Sequence, residues 1–471
     1  MQVTNPTTSD KKIGYFLLVW VIINIIHAWC MDLHEDEAYY WMYSQFLDWG
    51  YFDHPPMIAL FIKGGDSLFH NTLGVRLVSI LASTVSIYLL WKMVKRYAVK
   101  ASLFILLYSG FFLFNLYGFI ATPDSPLFFF SVLFFYCYQQ YLKHDNFKWT
   151  LLSAIVIACL LYSKYHGILI LLFTILSNPK LFRRVSFWVI VILALLFYSP
   201  YIWWQMDHGY PSIAYHLFDR SPKSYRFSYT TEFILTQVII IAPIVGWYFF
   251  IAAAKAKAGD LFKRSLQFTF YGVFIFFLLS TFKGRVEAHW TLIGILPLFM
   301  LCYMHLSGKT KIVNWLTLLM IANVTLIMVI RLVFIIPLPF TQKIKVVKKH
   351  TGNEQWAAQL KAKAGENFIV FNSGFQEPSE YNFYNNTTKA FSYNSRYYRK
   401  NQYDIWPIED SLRGKNVYYV TPYPHINIAP RIMFINLGNK LPQDSFLIKD
   451  RTEYGSWIKD VRLYQKVKIE T

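Results

Sequence analysis

The 471-residue sequence predicts a polytopic α-helical membrane protein that carries a small C-terminal extracytoplasmic domain of α/β or α+β type. Three observations support this. Hydrophobic residues make up 55% of the chain and aromatics 19%, well above an ordinary soluble domain. Apolar runs long enough to cross a bilayer, some only marginally, recur near 13–31, 74–92, 101–120, 126–142, 149–163, 165–178, 185–204, 231–254, 265–281, 289–306 and 312–337. Lysines and arginines fall in short clusters between those runs. The net charge of +19 therefore points to topology rather than to nucleic acid, since no recognition helix, zinc spacing or RNA-binding motif accompanies it.

The first run, after Lys11 and Lys12, exceeds a usual signal-peptide core and lacks a small-x-small cleavage site, so it is expected to be a spanning helix. Directly after it comes Asp32 to Pro56, DLHEDEAYYWMYSQFLDWGYFDHPP, which crowds Asp32, His34, Glu35, Asp36 and Glu37 together and adds Asp53 and His54. Carboxylates packed beside one another and beside aromatics raise each other's pKa and can serve as a general base. A structural role is open for the same residues. Asp36 can cap a short helix from Glu37, and AYYWMYSQFL suits an interfacial helix with Tyr and Trp at headgroup depth.

Counting eleven spans, the positive-inside rule assigns one face from seventeen cations: Lys11, Lys12, Lys92, Lys95, Arg96, Lys100, Lys143, Lys148, Lys180, Arg183, Arg184, Lys255, Lys257, Lys263, Arg264, Lys309 and Lys311. The opposite, external face receives the 32–73 loop, TPDSP at 122–126, SKYH at 163–166, the 205–230 loop, FKGRVEAHW at 282–290 and everything after about residue 338. Nearly every acid of the membrane part lies on that face, as expected of a site opening there. From about Thr341 apolar runs shorten to strand length, in NFIVF, KNVYYVT and FINL, while QWAAQLKAK suits a helix. The domains expected are thus 1–340, transmembrane with the first external loop, and 341–471, soluble. The four cysteines lie in or beside apolar runs and behave as small hydrophobes.

Candidate site residues follow from this placement. Asp124, in Ala-Thr-Pro-Asp-Ser-Pro, either caps the helix from Ser125 or acts as a second catalytic acid. Asp53 can bind sugar hydroxyls, and His54, when protonated, a phosphate. Arg76, Lys164, Lys283 and Arg285 sit at span ends on the acidic side, where snorkelling to headgroups competes with an anion site. His289 and Trp290, after Glu287, offer a donor and a stacking surface for a sugar.

HEDEAYYW, GYFDHPP, LGVRL, TPDSPL, SKYHG and KGRVEAHW occur in that order. With them, residues 13–300 resemble the bacterial glycosyltransferases of the protein O-mannosyltransferase and aminoarabinose transferase superfamily, which have the GT-C fold. The resemblance places the family's acidic pair on Asp36 and Glu37, its acid-base-proline triplet on Asp53, His54 and Pro55, its loop-end arginine on Arg76, its second-loop aspartate on Asp124 and its lysine after the fifth span on Lys164. His54 stands where the aminoarabinose enzymes have lysine, and Asp32 and His34 have no family counterpart. The resemblance implies transfer of a sugar from a polyprenyl-phosphate-linked donor to a lipid, protein or glycan acceptor, usually with inversion. Its setting would be the periplasmic side of a bacterial inner membrane. Asp36 is then the leading base, assisted by Glu37 and Asp124, with Arg76, Lys164 and His54 on the carrier phosphate. No cofactor is required by this chemistry, although a divalent metal is compatible with it. The rival expectation is a secondary transporter of an anionic or lipid-linked substrate, which charged residues in mid-span and two similar halves would favour.

Overall fold

The structure, a computed structural model, describes residues 8–216, 224–257, 259–309, 313–336, 338, 340–371, 374–392, 399–407 and the strand segments 416–421, 434–435, 446–449 and 461–469. The chain divides into two compact units. One comprises the chain up to His27 with His54–Phe61 and Arg76–Arg331, and the other Ala28–Asp53, Ile62–Val75 and the chain from Leu332. These units cut across the boundary expected at residue 340, because the first loop joins the C-terminal segment in the second unit.

The helices begin α1 (Thr8–Cys30), α2 (Glu35–Gln45), α3 (Met57–Asp66), α4 (Thr72–Val94), α5 (Ala101–Gly110), α6 (Phe112–Leu116) and α7 (Asp124–Lys143). They continue as α8 (Phe147–Ser163), α9 (Gly167–Ser177), α10 (Val185–Asp207), α11 (Pro211–Ala214), α12 (Phe227–Ile241), α13 (Gly246–Ala254), α14 (Leu261–Ser280), α15 (Leu292–Ser307) and α16 (Asn314–Ile335). The last three are α17 (Lys345–Lys348), α18 (Asn353–Ala364) and α19 (Gln376–Tyr384).

Every one of the expected apolar runs carries helix. Among the described residues α1, α4, α10, α14, α16 and α15 with the turn preceding it from Ala288 are long and apolar enough to cross a membrane, and α5, α8 and α9 are shorter apolar helices. Two runs are broken. Residues 231–254 form α12 and α13, bent by 92°, where Pro243 withholds an N–H and Gly246 lies so near the Val238 carbonyl that an added Cβ would stand 2.0 Å from its oxygen. Residues 101–120 break at Phe111 between α5 and α6. A break inside a bilayer leaves backbone groups that must find partners. Asn323 on α16 meets that need at both places, accepting from the Ile244 N–H at 2.9 Å and donating to the Gly110 carbonyl at 2.8 Å.

The core of this first unit is aromatic. Phe104, Tyr108, Phe111 and Phe114 all meet Phe299 of α15 with centroids 5.3–5.8 Å apart, and all five are essentially buried. Helices α7, α8 and α10 pack in series, as do α9, α14 and α15. The α9–α14 approach depends on Gly272, whose added Cβ would lie 2.4 Å from the Phe173 ring.

In the second unit strands β1 (Phe368–Phe371), β2 (Ala390–Ser392), β3 (Asn416–Thr421), β4 (Phe434–Ile435), β5 (Phe446–Lys449) and β6 (Val461–Ile469) form one mixed sheet ordered β2-β1-β3-β6-β4, with β5 also on β6. β2, β1 and β3 run parallel and β6 antiparallel to β3. Trp356, Leu360, Ile369, Phe371 and Tyr381 form its core with α18 and α19, so the expected mixed α and β character holds. Helix α2 lies against α19: Tyr39 stacks on Phe375 at 4.1 Å and Trp41 meets Phe383 edge-on at 5.5 Å. With Tyr39, Tyr40, Trp41 and Tyr43 all buried, this helix is a core element of a protein unit and not the headgroup-level helix its composition suggested.

Candidate active site

The acidic first loop is organised by a histidine. His34 is the N-cap of α2: its Nδ1 accepts from the Asp36 N–H at 3.1 Å, and its own N–H donates to Glu37 Oε2 at 2.9 Å. This is a reciprocal capping box and corrects the expectation that Asp36 caps a helix from Glu37. Glu37 is fully buried and its carboxylate serves that box. Asp36 sits in the first turn with 41% of its side chain exposed. Desolvation by surrounding atoms still pushes its carboxyl above the ordinary value; Glu35 and Asp53 add to the rise, and His34 and Arg399 oppose it.

Asp53 is 5% exposed, and both its oxygens are engaged. Oδ2 accepts from the Tyr39 hydroxyl at 2.7 Å and more distantly from Tyr43, while Oδ1 accepts from Arg399. Held in this way, Asp53 braces the loop. The backbone ties are as firm: the Phe52 N–H donates to Gln402 Oε1, and the Gln402 N–H to the Tyr39 hydroxyl, each at 2.7 Å. The neighbouring acids are also committed, Asp32 to the Asn353 N–H at 3.0 Å and Glu35 to Lys349 at 3.6 Å.

The first unit holds a second charged group. Asp124 opens α7 after Pro123 but caps nothing with its side chain. It accepts both oxygens' worth of hydrogen bonds from Lys164 Nζ, at 2.9 and 2.8 Å, with both side chains about 95% buried. His289 Nε2 lies 3.8 Å from the same carboxylate, and Trp290 packs against His166 at 5.2 Å. Lys164 therefore does not snorkel. Neither does Arg76, fully buried in α4 with its guanidinium 5.7 Å from the Phe119 ring. His54 is half-buried, 6.3 Å from the His216 ring.

Lys283 and Arg285 are exposed, Arg285 with a distant Glu232 at 4.0 Å among the described residues. The four span-end cations thus do not form one cluster: Arg76 and Lys164 are buried, and the other two lie at the surface. Among the described residues no three His, Cys, Asp or Glu side chains are grouped as a metal ion would need.

Two charged features had no sequence signal strong enough to notice. Arg399 lies in a generic basic stretch of the C-terminal segment. Arg331, inside α16, donates from Nε to His27 at 3.1 Å and from Nη2 to Asn24 at 2.6 Å on α1, within the apolar run expected at 312–337.

The model of the family described as dolichyl-phosphate-mannose-protein mannosyltransferase matches residues 53–204. Among solved structures, the chain is similar to ArnT from Cupriavidus metallidurans in the apo state, with a TM-score of 0.66 at 14% identity over 98% of each chain. It is also similar to that protein bound to undecaprenyl phosphate, with a TM-score of 0.63 at 13% identity over 96% of this chain and 97% of the other. The chain shares the fold of that protein. No curated protein matches it. The stretch matched by the family model begins at Asp53 and includes Arg76, Asp124 and Lys164; the capped acidic turn precedes it.

Proposed function

We propose that this protein is a glycosyltransferase that takes a sugar from a polyprenyl-phosphate-linked donor and passes it, with inversion, to a hydroxyl of a lipid, protein or glycan acceptor at the external face of a bacterial inner membrane. The single observation that supports it most is the state of Asp36. Its side chain is 41% exposed and its carboxylate is not used as the cap, lying 3.6 Å from the His34 ring nitrogen, and desolvation raises its pKa in the direction a general base needs. In the reaction Asp36 takes the proton of the acceptor hydroxyl as its oxygen bonds to the anomeric carbon, and the bond from that carbon to the phosphate oxygen breaks. The departing polyprenyl phosphate gains a negative charge and no proton, so cations suffice for it. Arg76, Lys164 and protonated His54 are assigned to that task, with Asp124 fixing Lys164.

The match to a mannosyltransferase family and the likeness to a protein solved with undecaprenyl phosphate support a lipid-phosphate donor. The transporter reading draws only on Arg331, and two of that residue's donors are committed to α1.

The test is turnover by purified Asp36→Asn protein. The substitution leaves the His34 cap in place, since Asp36 contributes only its N–H to it, and removes the charge. Transfer is expected to fall by about 10²- to 10⁴-fold with carrier binding retained. Near-normal turnover would move the base to Asp124 or Glu37.

A further inference from the structure

The first loop holds Glu35, Asp36, Glu37 and Asp53 side by side, and the C-terminal segment supplies the cations that meet them: Lys349 on Glu35 and Arg399 on Asp53. Tyr39, whose hydroxyl binds Asp53, stands one helical turn beyond Asp36, so Asp53 and its arginine lie along α2 next to Asp36. Arg399 is further fixed by its guanidinium 5.2 Å from the Phe375 ring and by a bond to the Lys400 carbonyl at 3.3 Å. About a third of its side chain is exposed.

We propose that Arg399 is a positioning residue through which the C-terminal segment completes the acidic site, locking Asp53 onto α2 and supplying the counter-charge for Asp36. This rests on the reading of Asp36 as the base. The charged and titratable groups facing Asp36 are Glu35, Glu37 and Tyr39 on α2, His34 before it with His350 against its ring, Asp53 from the loop, and Lys349 and Arg399 from the C-terminal segment. Of these, Arg399 and His34 favour the ionised form of Asp36, and Glu35 and Asp53 oppose it. Removing Arg399 removes one of the two favourable fields and also releases the Asp53 charge, so both consequences act in the same direction on Asp36. The C-terminal segment is, on this account, part of the catalytic apparatus and not an appended binding module.

The experiment labels the full-length protein in detergent with a water-soluble carbodiimide and an amine, which tag protonated carboxyls, across a pH series, and reads residue 36 by peptide fragmentation. Arg399→Met should shift the labelling midpoint of Asp36 upward by about half a pH unit, and Arg399→Lys should restore it. A folded Arg399→Met protein with an unmoved midpoint would overturn the proposal, because a merely structural role lowers the melting temperature and leaves the midpoint alone. Should the Met variant not fold, Arg399→Gln, which keeps a hydrogen bond to Asp53 without the charge, must give the same upward shift or the proposal fails. The labelling needs no turnover, so it stands or falls separately from the Asp36→Asn result.

Discussion

At the level of single residues, the first turn of α2 divides labour among three neighbours: His34 caps, Glu37 closes the box, and Asp36 is left to titrate. Losing the cap acceptor in His34→Ala should cost about 1 kcal/mol, and His34→Asn should recover most of it; amide exchange across residues 35–45 reads the difference. Asp36 has a raised folded-state pKa. It therefore works as a base only above that raised value, and the transfer rate should fall as pH drops through a point above the ordinary 3.8. Stability responds in the opposite sense: the native state binds the proton more tightly, so stability declines as pH rises between 3.8 and the raised value. A rate profile whose acid limb lies at 3.8 or below would contradict the assignment. The buried Asp124–Lys164 pair behaves differently, since removing one partner strands the other charge. Lys164→Met should destabilise by about 3–5 kcal/mol, and adding Asp124→Asn should recover part of that loss, as thermal unfolding in detergent will show.

Among elements, the broken helices carry the most risk. A single Asn323 side chain partners backbone groups at the C-terminal end of α5 and at the α12–α13 bend, and it is fully buried. Asn323→Leu leaves an N–H and a carbonyl without those partners, each costing about 1–3 kcal/mol. The expected result is a markedly lower melting temperature with the acidic loop unchanged; an unshifted melting curve would mean that other groups satisfy both breaks. Arg331 performs a comparable task between α16 and α1 through Asn24 and His27. Helix α2 illustrates the converse. Its aromatics looked suited to a lipid interface, yet they pack on α19, because a row of Tyr and Trp side chains is equally satisfied by protein neighbours.

For the whole molecule, the distribution of lysine and arginine sets the orientation proposed here, with the N-terminus cytoplasmic and the C-terminal segment external. A reporter fused after Thr471 should be active only outside the cytoplasm. Activity inside would reverse the side assigned to every loop motif. The membrane-protein class was legible in the sequence because crossing a bilayer is a local property: about 20 apolar residues suffice whatever surrounds them; the GT-C fold was implied only by the resemblance that the ordered loop motifs carry. The same holds for the acidic turn and for Asp124 and Lys164, each marked by charge where charge is expensive. What the tertiary structure alone decided is which polar groups meet. Arg399 reaches Asp53 across 346 residues, and Arg331 reaches His27 across 304. Such pairs leave no periodic or local trace, because they exist only once distant helices and strands have packed and each buried donor has taken the acceptor that packing brings near.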